Sequence, residues 1–115
     1  MTFGRSRRLE SRSDFDRVFC EGRSAGDGLL VVYARPNGLD RSRLGIVAGR
    51  RIGGAVARNR AKRLVREAFR TSPQNLPDGW DFVVIPQKIA CNATAADVKS
   101  SLEKLAGKVL QSWRK

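Results

Sequence analysis

The sequence predicts an α+β fold, a mixed four-stranded sheet with three helices in a small helix–sheet sandwich, from three observations. The apolar runs 29–34 and 82–85 are short and bounded by Gly28, Pro36 and Pro86, as strands are. Ala57, Ala61, Leu64, Val65 and Ala68 recur at helical spacing and make one apolar stripe. Val98, Leu102, Leu105 and Val109 make a second stripe near the C-terminus, which Trp113 extends. Strands grouped between helices pack as one sheet covered by helices. The 115 residues, 41% of them hydrophobic, form one domain spanning 1–115 with a modest core.

The elements follow in order. Residues 1–10 read as a mobile basic arm. Ser13 reads as the N-cap of a first helix, with Asp16 three residues on in a capping-box role. Phe15, Val18 and Phe19 share a face of that helix, and Gly22 stops it. A short extended piece at 23–25 adds an edge strand, and the run 29–34 is the first full strand. Asn37-Gly38 marks a turn. Residues 44–48 read as a second apolar strand, the antiparallel partner of the first. The helix 55–71 ends at Ser72-Pro73, because a residue before proline avoids helical geometry. The run 82–85 reads as a buried strand closed by Pro86. Thr94, with Asp97 three residues on, starts the last helix.

Composition narrows the function. The chain carries 23 Lys+Arg against 11 Asp+Glu, a net charge of +12, which calls for a polyanionic partner. Seventeen of the basic residues are Arg, whose planar fork suits phosphates and bases. No run approaches the ~20 apolar residues of a membrane span, and no membrane partner is expected. With no histidine there is no Ser-His-Asp triad and no histidine metal ligand. Cys20 and Cys91 stand too far apart for a zinc pair and read as reduced, small buried or half-buried thiols of a cytoplasmic protein. No catalytic residue and no protein-held metal site is expected.

The charge is concentrated. Residues 50–70 hold eight basic residues against Glu67 alone, a net +7. On a helical wheel Asn59, Lys62, Arg63, Arg66 and Arg70 gather opposite the apolar stripe. Lys62, Arg66 and Arg70 are spaced i, i+4, where like charges repel by a few tenths of a kcal/mol. A face shaped for stability alone alternates signs, and only Glu67, four residues after Arg63, offers relief. The approach to the helix, Arg50-Arg51-Ile52-Gly53-Gly54, leaves its backbone accessible, although it is no Walker loop.

The run Ile52-Gly53-Gly54-Ala55-Val56-Ala57-Arg58-Asn59-Arg60-Ala61-Lys62-Arg63-Leu64-Val65-Arg66-Glu67-Ala68-Phe69-Arg70 resembles the "RNR" signature of the protein subunit of bacterial ribonuclease P. Arg8-Leu9, Asp14-Phe15, Val18-Phe19 and Gly22 look like that family's opening helix, and residues 29–33, 43–45 and 81–85 resemble its strands. The resemblance spans residues 8–113. It implies a left-handed βαβ crossover around the RNR helix, an exception to the usual hand. It implies an endoribonuclease holoenzyme that removes the 5′ leader from precursor tRNA. The catalyst there is an RNA subunit using Mg²⁺, and the protein is not the chemical catalyst.

The resemblance places contacts to the catalytic RNA on Arg50, Arg51, Arg58, Asn59, Arg60, Lys62, Arg63, Arg66 and Arg70. It places the single-stranded leader in a cleft between the first helix and the sheet, at Arg12, Phe15, Phe19, Val31 and Tyr33, with Val18 in the core. Exposed aromatic rings beside cations suit single strands, since every base offers a face to stack on. Without the family, Phe15, Val18 and Phe19 at helical spacing read more readily as core than as cleft. The chain departs from the pattern at Gly49 and Gly54, where relatives often carry a hydroxyl residue and Asn, leaving only backbone contacts there. Arg50 and Arg51 stand where Lys is common. Three other readings share the charge and size: a structural RNA-binding protein of the ribosome, a stand-alone nuclease, and a DNA-binding protein. The second lacks an acidic metal cluster and the third lacks a helix-turn-helix.

Overall fold

The computed structural model describes residues 8, 9, 11–72, 76–87 and 93–113. Helix α1 (Arg12–Glu21) is followed by β1 (Arg23–Gly26), β2 (Leu30–Pro36) and β3 (Arg43–Ile46). A 3-10 turn (Arg50–Ile52) leads into α2 (Ala55–Arg70), then β4 (Trp80–Pro86) and α3 (Ala95–Trp113). The sheet is mixed, in the order β1-β2-β4-β3. β1 and β4 flank β2, both antiparallel to it, and β3 runs parallel to β4.

This corrects the expected pairing of β3 with β2. β3 is joined to β4 through α2, and a helical crossover returns the chain in the same direction. β4 occupies the place beside β2, and the 37–42 loop passes its start. The Asn37 N–H donates to the Gly79 carbonyl at 2.9 Å, and the Trp80 N–H donates to Ser42 Oγ at 3.1 Å. The strand itself is shorter than the expected 44–48, ending at Ile46.

The first helix also starts earlier than expected. Ser11, not Ser13, is the N-cap, and its hydroxyl accepts from the Asp14 N–H at 3.1 Å. Both serines precede an acidic residue by three, so spacing alone did not choose between them. Within the expected arm, Arg8 and Leu9 are held against β3: Arg8 bridges Leu44, and the Leu9 N–H donates to the Leu44 carbonyl at 2.9 Å. Residues 1–7 and 10 lie outside the described residues, as do Pro73 and Cys91. Helix α2 ends at Arg70, and the Thr71 N–H and hydroxyl both donate to the Glu67 carbonyl. Thr94 and Asp97 form the expected box at α3, each side chain accepting from the other's N–H.

Strand alternation gives the sheet two unlike faces. Leu30, Val32 and Ala34 of β2, with Phe82 and Val84 of β4, are buried under α2 and α3. Val65, Ala68 and Phe69 cover them from α2, and Val98, Leu102, Leu105 and Val109 from α3. Trp113 pins the end of α3, its indole N–H donating to the Ala34 carbonyl at 2.9 Å while Arg23 lies over its ring. The opposite face carries Val31, Tyr33, Val83 and Ile85, and α1 covers it only in part.

Asp27, in the β1–β2 turn, ties this hairpin to α3. Its carboxylate accepts from the N–H groups of Leu29 and Leu30 at 2.8 and 2.9 Å, from Ser101 Oγ at 2.7 Å, and pairs with Lys104 at 3.2 Å. Burial by itself would raise its pKa. The hydrogen bonds from Leu30, Ser101, Leu29 and Lys104 outweigh it and hold the carboxyl well below the usual carboxylate range. A depressed folded pKa makes the contribution complete above the unfolded value of about 4, and it is lost as pH falls from there toward the folded value. Asp27→Asn is expected to cost about 1–3 kcal/mol at pH 7. In urea unfolding its gap to the parent chain should narrow at pH 3. A gap independent of pH would refute this account.

Candidate nucleic-acid interface

Helix α2 owes its amphipathic form to the stripe read from the sequence. Ala61, Val65, Ala68 and Phe69 are buried, with Ala57 and Leu64 half-buried. Apart from Ala55 and the 84%-exposed Val56 in its first turn, the remainder of its surface is polar. Asn59, Arg60, Arg63, Arg66 and Arg70 are exposed, while Arg58 and Lys62 are half-buried. Gly54 caps the N-terminus without a side chain, so the first-turn N–H groups face outward with no side-chain oxygen on them. Gly53 before it has φ of 137°, a conformation open to glycine and strained for other residues. Arg58 Nε is buried with no hydrogen-bond partner, leaving an unspent donor beside the exposed cations.

Glu67 relieves the repulsion, from a different partner than expected. It pairs with Arg70, accepting from Nε at 3.2 Å and from Nη2, rather than with Arg63. The Arg70 hydrogen bond holds Glu67 below the usual carboxylate range. Arg70 thus brings less free charge to the face than Arg63 or Arg66. Arg50 and Arg51 are exposed on the turn before α2, beside a cavity that Ile85, Pro86 and Gln87 close from β4.

On the other side of the sheet, α1 and the open face form a cleft. Phe19 is 38% exposed and meets Tyr33 edge to face, with ring centroids 5.0 Å apart. Val31 and Phe15 are half-buried on the same side, Arg12 is exposed at the start of α1, and Val18 is fully buried in the core. Of the five expected cleft residues, Arg12, Phe15 and Phe19 stand on α1 and Val31 and Tyr33 on β2, with Phe19 meeting Tyr33 directly. Leu29, the first residue of the expected strand 29–34, lies before β2 and packs with the opposite cluster. Ile85, half-buried on the same face, also borders the cleft, with Val83 fully buried in the core beside it, which the continuous apolar run 82–85 concealed. Reading that run with period two would have separated Phe82 and Val84 from Val83 and Ile85. Cys20, expected to be buried or half-buried, is exposed on α1.

The two surfaces meet around the β3 edge. A cavity of about 140 Å³ is lined by Arg8, Leu9, Phe15, Gly45, and by Lys62 and Arg66 of α2. Three cations thus border the same opening as the Phe15 ring. Among the described residues no helix is long and apolar enough to cross a membrane.

A mixed sheet flanked by a cationic helix on one side and an aromatic cleft on the other defines a class: small basic α+β proteins with charge gathered on one crossover helix. The family model described as "Ribonuclease P" matches residues 3–110. The chain is 51% identical over 87 residues to the ribonuclease P protein component of Thermotoga maritima, covering 76% of this chain and 74% of that protein. It is 36% identical over 106 residues to that of Clostridioides difficile, covering 91% and 93%. The solved RNase P protein of Staphylococcus aureus superposes with a TM-score of 0.78 at 33% identity, covering 90% of this chain and 96% of that one. The solved protein from Thermotoga maritima gives the same score at 42% identity, covering 87% and 96%. The chain belongs to the ribonuclease P protein component family.

Proposed function

We propose that this chain is the protein subunit of a ribonuclease P ribonucleoprotein that removes the 5′ leader from precursor tRNA. The observation that carries the reading is the pairing of a cationic α2 face with an open aromatic cleft on one scaffold, in a chain of this family. The α2 face and its approach turn, Arg50 to Arg70, hold the catalytic RNA through phosphates, where arginine forks bind bidentately. The cleft of Arg12, Phe15, Phe19, Val31 and Tyr33 takes the single-stranded leader by stacking.

Cleavage is assigned to the RNA subunit. Mg²⁺ bound there supplies the activated water and stabilises the leaving oxygen. Among the described residues no group of three carboxylate or thiol side chains could hold a metal ion. Its part is to bring positive charge and a fixed track to the RNA, which lowers the Mg²⁺ needed. We place the complex in the cytoplasm.

The test is reconstitution. Adding the protein to its cognate RNA at low Mg²⁺ is expected to raise the rate of leader removal, and no increase would overturn the reading. Protein that cleaves precursor tRNA alone would indicate a stand-alone nuclease. Phe19→Ala is expected to reduce the affinity gain conferred by a leader about 5- to 10-fold, the lower part of the range for one lost base stack. Leaderless substrate should be unaffected. Equal loss on both substrates would remove the leader from this cleft.

A further inference from the structure

We propose that Gly45, with the Asp14–Arg43–Asp81 relay beside it, positions the leader cleft by seating Phe15 against the sheet. The inference rests on the leader reading of the cleft and names residues that reading did not include.

Gly45 lies in β3, opposite Val83 of β4, on the face that α1 covers. Its lack of a side chain is filled by Phe15. A Cβ built on Gly45 would stand 2.5 Å from both Cε1 and Cζ of Phe15, and 3.1 Å from the Leu9 Cβ. Real carbon atoms do not approach so closely, so any larger residue there drives the ring away from the strand. Leu9 closes the other side, held by its N–H to the Leu44 carbonyl. The depth of the Phe15 ring, and with it the position of one wall of the cleft, is set by an absent methyl group.

The backbone under Phe15 is tethered independently. Arg43 sits two residues before Gly45 and therefore projects to the same face of β3. Asp81 fixes its guanidinium in a forked pair, from Nε to Oδ1 at 2.8 Å and from Nη2 to Oδ2 at 2.7 Å. Asn37 Nδ2 also donates to Asp81 Oδ1, at 2.9 Å. The remaining nitrogen, Nη1, reaches Asp14 Oδ2 at 3.5 Å. Asp14 immediately precedes Phe15, so β4 is linked through Arg43 to the turn of α1 that carries the ring. The far end of α1 is tied by Glu21 to Arg35 of β2 at 2.7 Å. A helix held at both ends and seated on glycine presents a gap of fixed width. Fixed geometry raises affinity by removing the cost of ordering the site on binding.

The experiment measures how strongly a 5′ leader improves substrate affinity of the reconstituted holoenzyme, with thermal stability followed in parallel. Gly45→Ala is expected to lower that leader-dependent ratio about 5-fold or more, comparable to losing one base stack. Gly107→Ala, on α3 with open space around it, is the control and should leave the ratio unchanged. Asp14→Asn removes the charge of the tether without adding a heavy atom. It is expected to lower the ratio up to about 5-fold, the upper range for a partly exposed ion pair, and Asp14→Glu should restore it. A role confined to folding would lower the melting temperature and leave the ratio intact, which overturns the inference. If Phe19→Ala lowers the ratio while Gly45→Ala and Asp14→Asn do not, the cleft reading stands and only this inference falls. If none of the three changes it, both fall. Should Gly45→Ala fail to fold, the Asp14 pair decides.

Discussion

Replacing Arg63 and Arg66 together by glutamine is expected to weaken binding of the catalytic RNA about 25- to 60-fold at 0.1 M salt, because each phosphate contact contributes about 0.7–0.9 of a decade there. Both side chains are exposed on α2, so the loss is of charge and not of packing. A parent chain meeting ~5 phosphates has a log–log salt slope near −3.5 to −4.5, and the double variant should fall to about −2 to −3. Because Arg66 stands i, i+4 from both Lys62 and Arg70, removing its charge relieves like-charge repulsion, and the free protein should be as stable as before or slightly more so. Arg70→Gln should weaken binding less than Arg63→Gln or Arg66→Gln, since Glu67 already accepts from Arg70. Filter binding across a salt series checks all of this. An affinity independent of salt, or a double variant with the parent slope, would refute the electrostatic account.

Asp81→Ala is expected to cost about 3–5 kcal/mol, the usual penalty for leaving one member of a buried ion pair alone. The Asp81 side chain is 3% exposed and that of Arg43 is 21%. The Asp81 hydrogen bond raises the Arg43 pKa further above its usual value despite partial burial, so the guanidinium cannot shed its charge to escape. A domain of this size is stable by about 5–15 kcal/mol, so the variant loses a large share of that margin. Replacing both partners, Arg43→Met with Asp81→Leu, should recover part of the loss, because the forked pair then leaves no charge of its own behind, while Asp14 loses its Arg43 contact and Asn37 loses one acceptor. Urea midpoints for the two single variants and the double variant test this. Strictly additive losses would show that the forked pair is not the source.

Much of the cationic face was legible because a helix is a rigid, local object. Once Ala61, Val65 and Ala68 set the buried side, the positions of Arg63 and Arg66 followed from 100° per residue. The cleft was legible only with the family resemblance. Phe15, Val18 and Phe19 have equivalent spacing, yet Val18 is core and Phe19 is open, and that difference depends on how far α1 extends over the sheet. Arg43 had no local signal at all. Its value comes from Asp81 and Asp14, distant in sequence.

The sequence by itself determined the kinds and order of the elements, the place of the charge and the family, since periodicity, turn residues and the RNR run are properties of neighbours along the chain. Tertiary structure alone decided that β4 separates β2 from β3, that β3 runs parallel to β4, and that Gly45 receives the Phe15 ring. Strand partners are chosen by which edges and faces bury together. That choice depends on residues tens of positions apart, and a period of two or of 3.6 carries no information about it.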